Sequence, residues 1–144
     1  MCSKLFAVAA QQDQRRSPLV GIFTRMRPRI RQIVLDAKEI EPVARFWTEL
    51  LQLEVTYSTA DWVSLSGPVS LAVQRNPDHR TAGLGDPDRP QQVHLEIEVE
   101  DIESAESLVL RNGGTELKES PDAEPPFRVY ADPAGHPFCL EYVE

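Results

Sequence analysis

A strand-like segment in the second half of the chain carries the side chains best suited to chemistry. Polar and apolar residues alternate from His94 to Glu100, so His94, Glu96 and Glu98 share one face of a predicted strand. An imidazole beside carboxylates can move protons or contribute to a metal site. Glu96, the carboxylate nearest His94, is the predicted catalytic general base, whereas Glu100 is more typical of a solvated strand face.

Other residues suggest roles in ligand binding or in structure. Trp62 and Tyr130 could form aromatic walls around a flat ligand, although core packing explains both equally well. His136 follows a glycine in a turn before the last predicted strand, and we expect it to be structural. We expect His79, in a polar loop, to be exposed to solvent. Cys139 lies in an apolar strand, where an unpaired cysteine is usually a core residue.

The polar strand has a counterpart 62 residues earlier. Residues 32–41 align without a gap with residues 94–103, and in both segments a strand pattern is followed by a helix pattern. In the first copy the apolar residues recur at helical spacing from Ile40 to Leu51, with Pro42 tolerated in the first turn. In the second copy Asp101 is a predicted N-cap, and Gly113 ends the helix. Two similar units are therefore joined head to tail.

Three short strands follow each predicted helix, so each unit is a βαβββ module. In the first module they are predicted at residues 54–58, 62–66 and 69–75, and in the second at 115–119, 127–131 and 138–143. We place module one at residues 28–76 and module two at 92–144. Residues 77–91, rich in proline, glycine and aspartate, form the predicted linker.

The charge is distributed unevenly along the 144 residues. The net charge is −8, with 15 Lys and Arg against 23 Asp and Glu. Residues 1–31 carry seven basic residues and one acidic residue, whereas residues 32–144 carry eight basic and 22 acidic residues. We expect residues 1–27 to be a flexible basic segment. The acidic body argues against nucleic-acid binding, and the apolar runs are too short for a membrane span.

Several motifs in the acidic body resemble one protein family. They are Ala44-Arg-Phe-Trp-Thr-Glu-Leu-Leu51, Gln91-Gln-Val-His-Leu-Glu96 and Asp132-Pro-Ala-Gly-His-Pro-Phe-Cys-Leu140. With the tandem βαβββ pattern, they resemble the vicinal oxygen chelate superfamily, and within it the glyoxalase-like domains of actinobacterial type. The resemblance implies an α+β fold in which the two modules form a cup-shaped mixed sheet with the helices outside. The polar strand faces would then line the cup.

The resemblance also implies a site. Superfamily ligands come from the first and last strands of each module, which correspond here to Gln32, Gln74, His94 and either Cys139 or Glu141. Because amide oxygens are weak ligands, two alternatives stay open. Gln32, Gln74, His94 and Glu141 could hold a divalent metal (Zn, Ni, Mn, Fe or Mg), or the site could bind an organic ligand without metal.

The composition, the short apolar runs and the two cysteines far apart in the sequence predict a cytoplasmic protein. The resemblance implies a homodimer whose partner is a small molecule. Its function would be that of a glyoxalase-like binding protein with lyase or isomerase activity on a small carbonyl or aromatic metabolite. The alternative is a metal-free module that sequesters drugs or metabolites, as in bleomycin resistance. The glutamates predicted to face the cup would disfavour an anionic ligand.

Overall fold

The computed structural model describes residues 28–83, 86–120 and 126–142, so the predicted basic segment at residues 1–27 lies outside the described residues. The first module consists of β1 (Ile33–Ala37), α1 (Ile40–Leu51), β2 (Glu54–Ser58), β3 (Trp62–Ser66) and β4 (Leu71–Arg75). The second consists of β5 (Leu95–Val99), α2 (Ile102–Arg111), β6 (Thr115–Ser120), β7 (Phe127–Ala131) and β8 (Pro137–Tyr142). The predicted α+β class and βαβββ repeat are confirmed.

The described strands form two four-stranded mixed sheets with the same topology. Their orders are β1-β4-β3-β2 and β5-β8-β7-β6. In each sheet the first strand of the module runs parallel to the last, and the remaining neighbours are antiparallel. The first strand of each module, β1 or β5, is therefore an edge strand whose outer backbone groups have no partner within the sheet.

Each helix covers the apolar face of its own sheet. Helix α1 buries Ile40, Val43 and Phe46 along one stripe, which the apolar spacing predicts. Helix α2 begins at the predicted cap, where Asp101 accepts a hydrogen bond from the backbone N–H of Glu103. Neither described helix is long and apolar enough to cross a membrane.

The two modules share one hydrophobic core. The ring of Phe138, on β8, lies 5.7 Å from that of Phe46 and 5.2 Å from that of Trp47, both on α1. The indole N–H of Trp47 donates to Asp132 Oδ2 at 2.9 Å across this junction. Helix α1 is therefore packed against both its own sheet and the last hairpin of the second module.

The predicted linker is tied to the turn between β7 and β8. Thr81 Oγ1 donates to the carbonyl of Ala134 at 3.2 Å, and His79 Nε2 lies 3.1 Å from the same oxygen. Gly135 has a φ of +88°, and a Cβ at this position would overlap the side chain of Thr81. Glycine is thus required by both the backbone conformation and the close approach of the linker.

Candidate functional site

A cavity of about 580 Å³ lies where the two modules meet. Its wall includes β1, residues 92–95 at the start of β5, and parts of the linker and of the last turn. We call it the junction cavity. The apolar groups on its wall include Ile33, Leu35, Trp47, Leu95 and Pro137. The ionisable groups on its wall are Asp36, His79, Arg80, Arg89, His94 and His136.

A buried carboxylate orients one of these imidazoles. Asp132 is 3% exposed, and its Oδ1 accepts the backbone N–H groups of Ala134 and His136 at 2.9 and 3.0 Å. Its Oδ2 lies 2.8 Å from His136 Nδ1. Because a carboxylate oxygen only accepts, Nδ1 carries the proton, which leaves the lone pair of a neutral ring on Nε2. The imidazole on the cavity wall is thus fixed in position and tautomer.

His79 is placed differently from the sequence prediction. It was expected to be solvent-exposed, but it is half-buried and its ring centroid lies 5.0 Å from that of His136. The contact of its Nε2 with the Ala134 carbonyl holds the linker against the second module. A loop residue therefore becomes part of the cavity wall because the linker folds back on the β7–β8 turn.

A second cavity, of about 780 Å³, lies on the face of the first sheet that α1 does not cover. We call it the sheet cavity, and its wall includes Arg31, Gln32, Tyr57, Trp62 and Ser64. The Trp62 indole donates to Ser64 Oγ at 2.8 Å, so its ring is held along the sheet. Gln74 lies opposite Trp62 in the register of β3 and β4, and its side chain is exposed.

The face of the second sheet that α2 does not cover carries Glu96, Cys139 and Glu141. Glu96 is the register partner of Cys139, and its Oε1 lies 3.3 Å from His94 Nε2. The Glu96 side chain is 58% exposed, so it is not enclosed as a general base in a dry cup would be. Burial, followed by the charges of Glu96 and Glu141, raises the pKa of the Cys139 thiol. This thiol is therefore poorly suited to act as a nucleophile.

Tyr130 lies on the opposite face of the second sheet from these groups. It is fully buried under α2, and its hydroxyl donates to Glu106 Oε2 at 2.6 Å. Arg128 Nη1 donates to the same oxygen, and these two hydrogen bonds lower the pKa of Glu106. The structure thus places Tyr130 in the core, away from both cavities.

The residues predicted to bind a metal do not share one cavity in the described chain. Gln32 lies on the wall of the sheet cavity and His94 on that of the junction cavity. Gln74 and Glu141 line neither cavity. Among the described residues, no three His, Cys, Asp or Glu side chains come close enough to hold a metal ion. This donor set does not fit a divalent metal.

Of the polar groups that build the junction cavity, His94 alone was predicted from the sequence to bind a ligand; the sequence pattern did not indicate the others. His136 was expected to be structural, and no role was assigned to Arg80 or Asp132. The four-residue spacing of Asp132 and His136 in one turn was the available signal, since such a turn can bring the two side chains together. No sequence pattern indicates that the linker folds onto this turn.

Comparisons with known proteins agree with this architecture. Residues 32–141 match the family model described as "Glyoxalase-like domain". The fosfomycin resistance protein FosX from Listeria monocytogenes has a TM-score of 0.64 at 14% identity, covering 83% of this chain and 96% of that one. The glyoxalase family protein from Enterococcus faecalis has a TM-score of 0.62 at 18% identity, covering 78% and 96%. No curated protein sequence matches the chain.

These structural likenesses are below 25% identity and therefore bear on the fold alone. The glyoxalase/bleomycin resistance protein from Albidiferax ferrireducens, with a TM-score of 0.59 and 15% identity over 78% of this chain and 97% of that one, adds a third instance of the fold. The family model spans most of both modules. The chain therefore belongs to the family of glyoxalase-like domains.

Proposed function

We propose that this protein binds a small organic molecule in the junction cavity without the help of a metal. The observation that carries the proposal is the cavity itself, which combines apolar walls with a few convergent polar groups in about 580 Å³. Cavities of this size and composition are typical of small-molecule sites. The indole of Trp47, 1% exposed and held by Asp132, supports the cavity wall from the core.

The metal-dependent alternative needs residues that do not line one common cavity. His94 has one carboxylate near it, that of Glu96, whereas Gln32 lies in the other cavity. A divalent metal retained near one equivalent per chain after purification without chelator, and lost in His94→Ala, would overturn the metal-free proposal. The homodimer also remains a prediction, which sedimentation velocity can test.

Filling the junction cavity is expected to weaken ligand binding strongly. Val34, on β1, lines the junction cavity, whereas Val55, on β2, lies at the other edge of the same sheet and lines neither cavity. Both side chains are partly exposed, at 41% and 55%, so a larger side chain is tolerable at either position. Val34→Trp should weaken binding about tenfold or more because it occupies ligand volume, and Val55→Trp should leave it unchanged.

The measurement is calorimetric titration at pH 7 with three naphthalene compounds: 2-naphthoate, 2-naphthamide and 2-naphthylmethylammonium. Saturable one-site binding of at least one of them, lost in Val34→Trp alone, supports the proposal. If neither these three compounds nor 2-naphthyl phosphate binds, or if the affinity is unchanged in Val34→Trp, the proposal fails.

A lyase or isomerase activity is a second candidate, favoured by the Asp132–His136 pair. Within the described residues, His136 Nε2 has no hydrogen bond, and the ring lines the cavity. Such a nitrogen can take a proton from the carbon next to a carbonyl, leaving an enolate, and return a proton to the same carbon or to the enolate oxygen.

The test for this activity is deuterium exchange at the methylene of phenylpyruvate in D₂O, followed by NMR. The second candidate predicts exchange faster than the protein-free background. It also predicts that His136→Gln loses this acceleration while Glu96→Gln keeps it. An unaccelerated rate in the wild type, or equal acceleration in His136→Gln, excludes His136 as the base and leaves binding alone.

A further inference from the structure

We infer that the ligand of the junction cavity carries an acidic group, a carboxylate, phosphonate or phosphate, and that Arg80 binds it. The inference rests on the proposed binding function and adds the chemical class of the ligand. It runs against the expectation from the sequence, because an acidic cup lined by glutamates would repel an anion. Glu96 and Glu98, the residues behind that expectation, do not line the junction cavity.

The charges on the wall of the junction cavity differ from those of the chain as a whole. The chain has a net charge of −8, yet the ionisable groups on this cavity wall comprise two arginines, one carboxylate and all three histidines of the sequence. The one carboxylate, that of Asp36, accepts a hydrogen bond from Asn76 Nδ2 at 3.0 Å. The wall thus carries two arginines against one carboxylate, although Asp86 pairs with Arg89, so it is less acidic than the chain as a whole and repels an anion less.

Arg80 differs from several other arginines in its contacts. Three other arginines are engaged by carboxylates: Arg75 by Asp61, Arg89 by Asp86 and Arg128 by Glu106. Arg80, in contrast, has no ion pair or hydrogen bond to any residue that the structure describes. A guanidinium offers paired donors that match the two oxygens of a carboxylate or phosphate group. Arg80 is therefore the cation on this wall that remains available to a ligand.

The backbone on both sides of Arg80 is held in place. Its neighbours His79 and Thr81 both contact the carbonyl of Ala134, and the His79 ring packs against that of His136. A cation between two anchored residues loses less conformational freedom when an anion binds. The apolar side chains of the same wall, including Leu35 and Leu95, indicate that the rest of the ligand is aromatic or aliphatic.

The test uses one aromatic ring with different head groups. At pH 7 and low salt, 2-naphthoate and 2-naphthyl phosphate are compared with the neutral 2-naphthamide and the cationic 2-naphthylmethylammonium. We expect the anions to bind about tenfold more tightly than the amide, as a charge-assisted hydrogen bond would provide, and the cation to bind most weakly. The two anions distinguish a carboxylate ligand from a phosphate or phosphonate ligand.

Two variants connect this preference to Arg80. Arg80→Gln is expected to remove most of the tenfold preference while changing the affinity for 2-naphthamide less than twofold. The matched control is Arg45→Gln, because Arg45 is exposed on α1 outside both cavities and its loss changes the net charge equally.

The outcomes separate this inference from the proposed function. If 2-naphthamide binds as tightly as the anions, or if Arg45→Gln weakens anion binding as much as Arg80→Gln does, the inference is overturned while binding in the cavity stands. If none of the four compounds binds, the proposed function itself fails.

Discussion

Asp132→Ala is expected to lower the free energy of unfolding by about 3 kcal/mol, because it removes the acceptor for four hydrogen bonds at a buried position. The Trp47 indole and the backbone N–H groups of Ala134 and His136 would lose their partner, as would the His136 ring. Each buried donor left unpaired costs about 1–3 kcal/mol. Because the turn can rearrange and water can reach it, we expect the total loss of free energy to be smaller than the sum of the four separate costs.

Asp78→Ala is the matched control for this substitution. Asp78 lies in the linker and is exposed, so removing its carboxylate changes the net charge equally and should shift stability by less than about 0.5 kcal/mol. Urea denaturation followed by circular dichroism measures both variants. A loss below about 1 kcal/mol in Asp132→Ala would show that this carboxylate does not hold the junction together.

Phe138→Ala is expected to cost about 3–5 kcal/mol, the range for a fully buried aromatic residue replaced by alanine. Phe138 is completely buried, and its ring contacts those of Phe46 and Trp47 on α1 and that of Tyr130 on β7. The substitution would leave a cavity bounded by both modules. Because the three rings around it come from two modules, they cannot all close in without moving α1.

Phe127→Ala provides the comparison on the neighbouring strand. Phe127 is only partly buried, on β7, and its loss should cost about 1 kcal/mol. Guanidinium unfolding gives both values, and a double-mutant cycle of Phe138→Ala with Phe46→Ala should show coupling of about 1 kcal/mol. Equal costs at the two phenylalanines, or zero coupling, would contradict a core shared by the modules.

The order of the elements was predictable because each one has a local cause. Alternating polar and apolar residues predicted the strands, and the apolar stripe predicted α1. The ends of α2 were predicted from Asp101 and Gly113. The strands β2, β3 and β7 have the predicted bounds, and the other strands differ by at most two residues at either end. These signals depend on neighbours in sequence, which is why they can be read without a structure.

The faces of the second sheet were harder to predict. In β7 the apolar Phe127 and Val129 alternate with Arg128 and Tyr130, yet it is Arg128 and Tyr130 that point to α2. They do so because the register pairs Tyr130 with Phe138 and Arg128 with Leu140 on β8, whose side chains are fully buried. Glu106 on α2 then accepts hydrogen bonds from both polar groups, a contact between elements that no local pattern in β7 predicts.

The candidate site was the least predictable part. The sequence placed Gln32 and His94 in one ligand set through a family resemblance, whereas the chain brings them to two separate cavities. The junction cavity depends on where the linker lies, and the contacts of His79 and Thr81 with one backbone carbonyl set that position. Contacts between residues so far apart in the sequence produce no periodic pattern from which they could be predicted.

The two tryptophans of the sequence allow a direct test of where a ligand binds. Trp47 lines the junction cavity and Trp62 lines the sheet cavity, so each indole N–H reports on one site. The measurement is a titration of ¹⁵N-labelled protein with 2-naphthoate, followed through the two indole resonances in ¹H–¹⁵N spectra, with Trp62→Phe used for assignment. The proposed function predicts a saturable shift of the Trp47 resonance with Trp62 unmoved. A shift of the Trp62 resonance alone, or of neither, would contradict binding in the junction cavity.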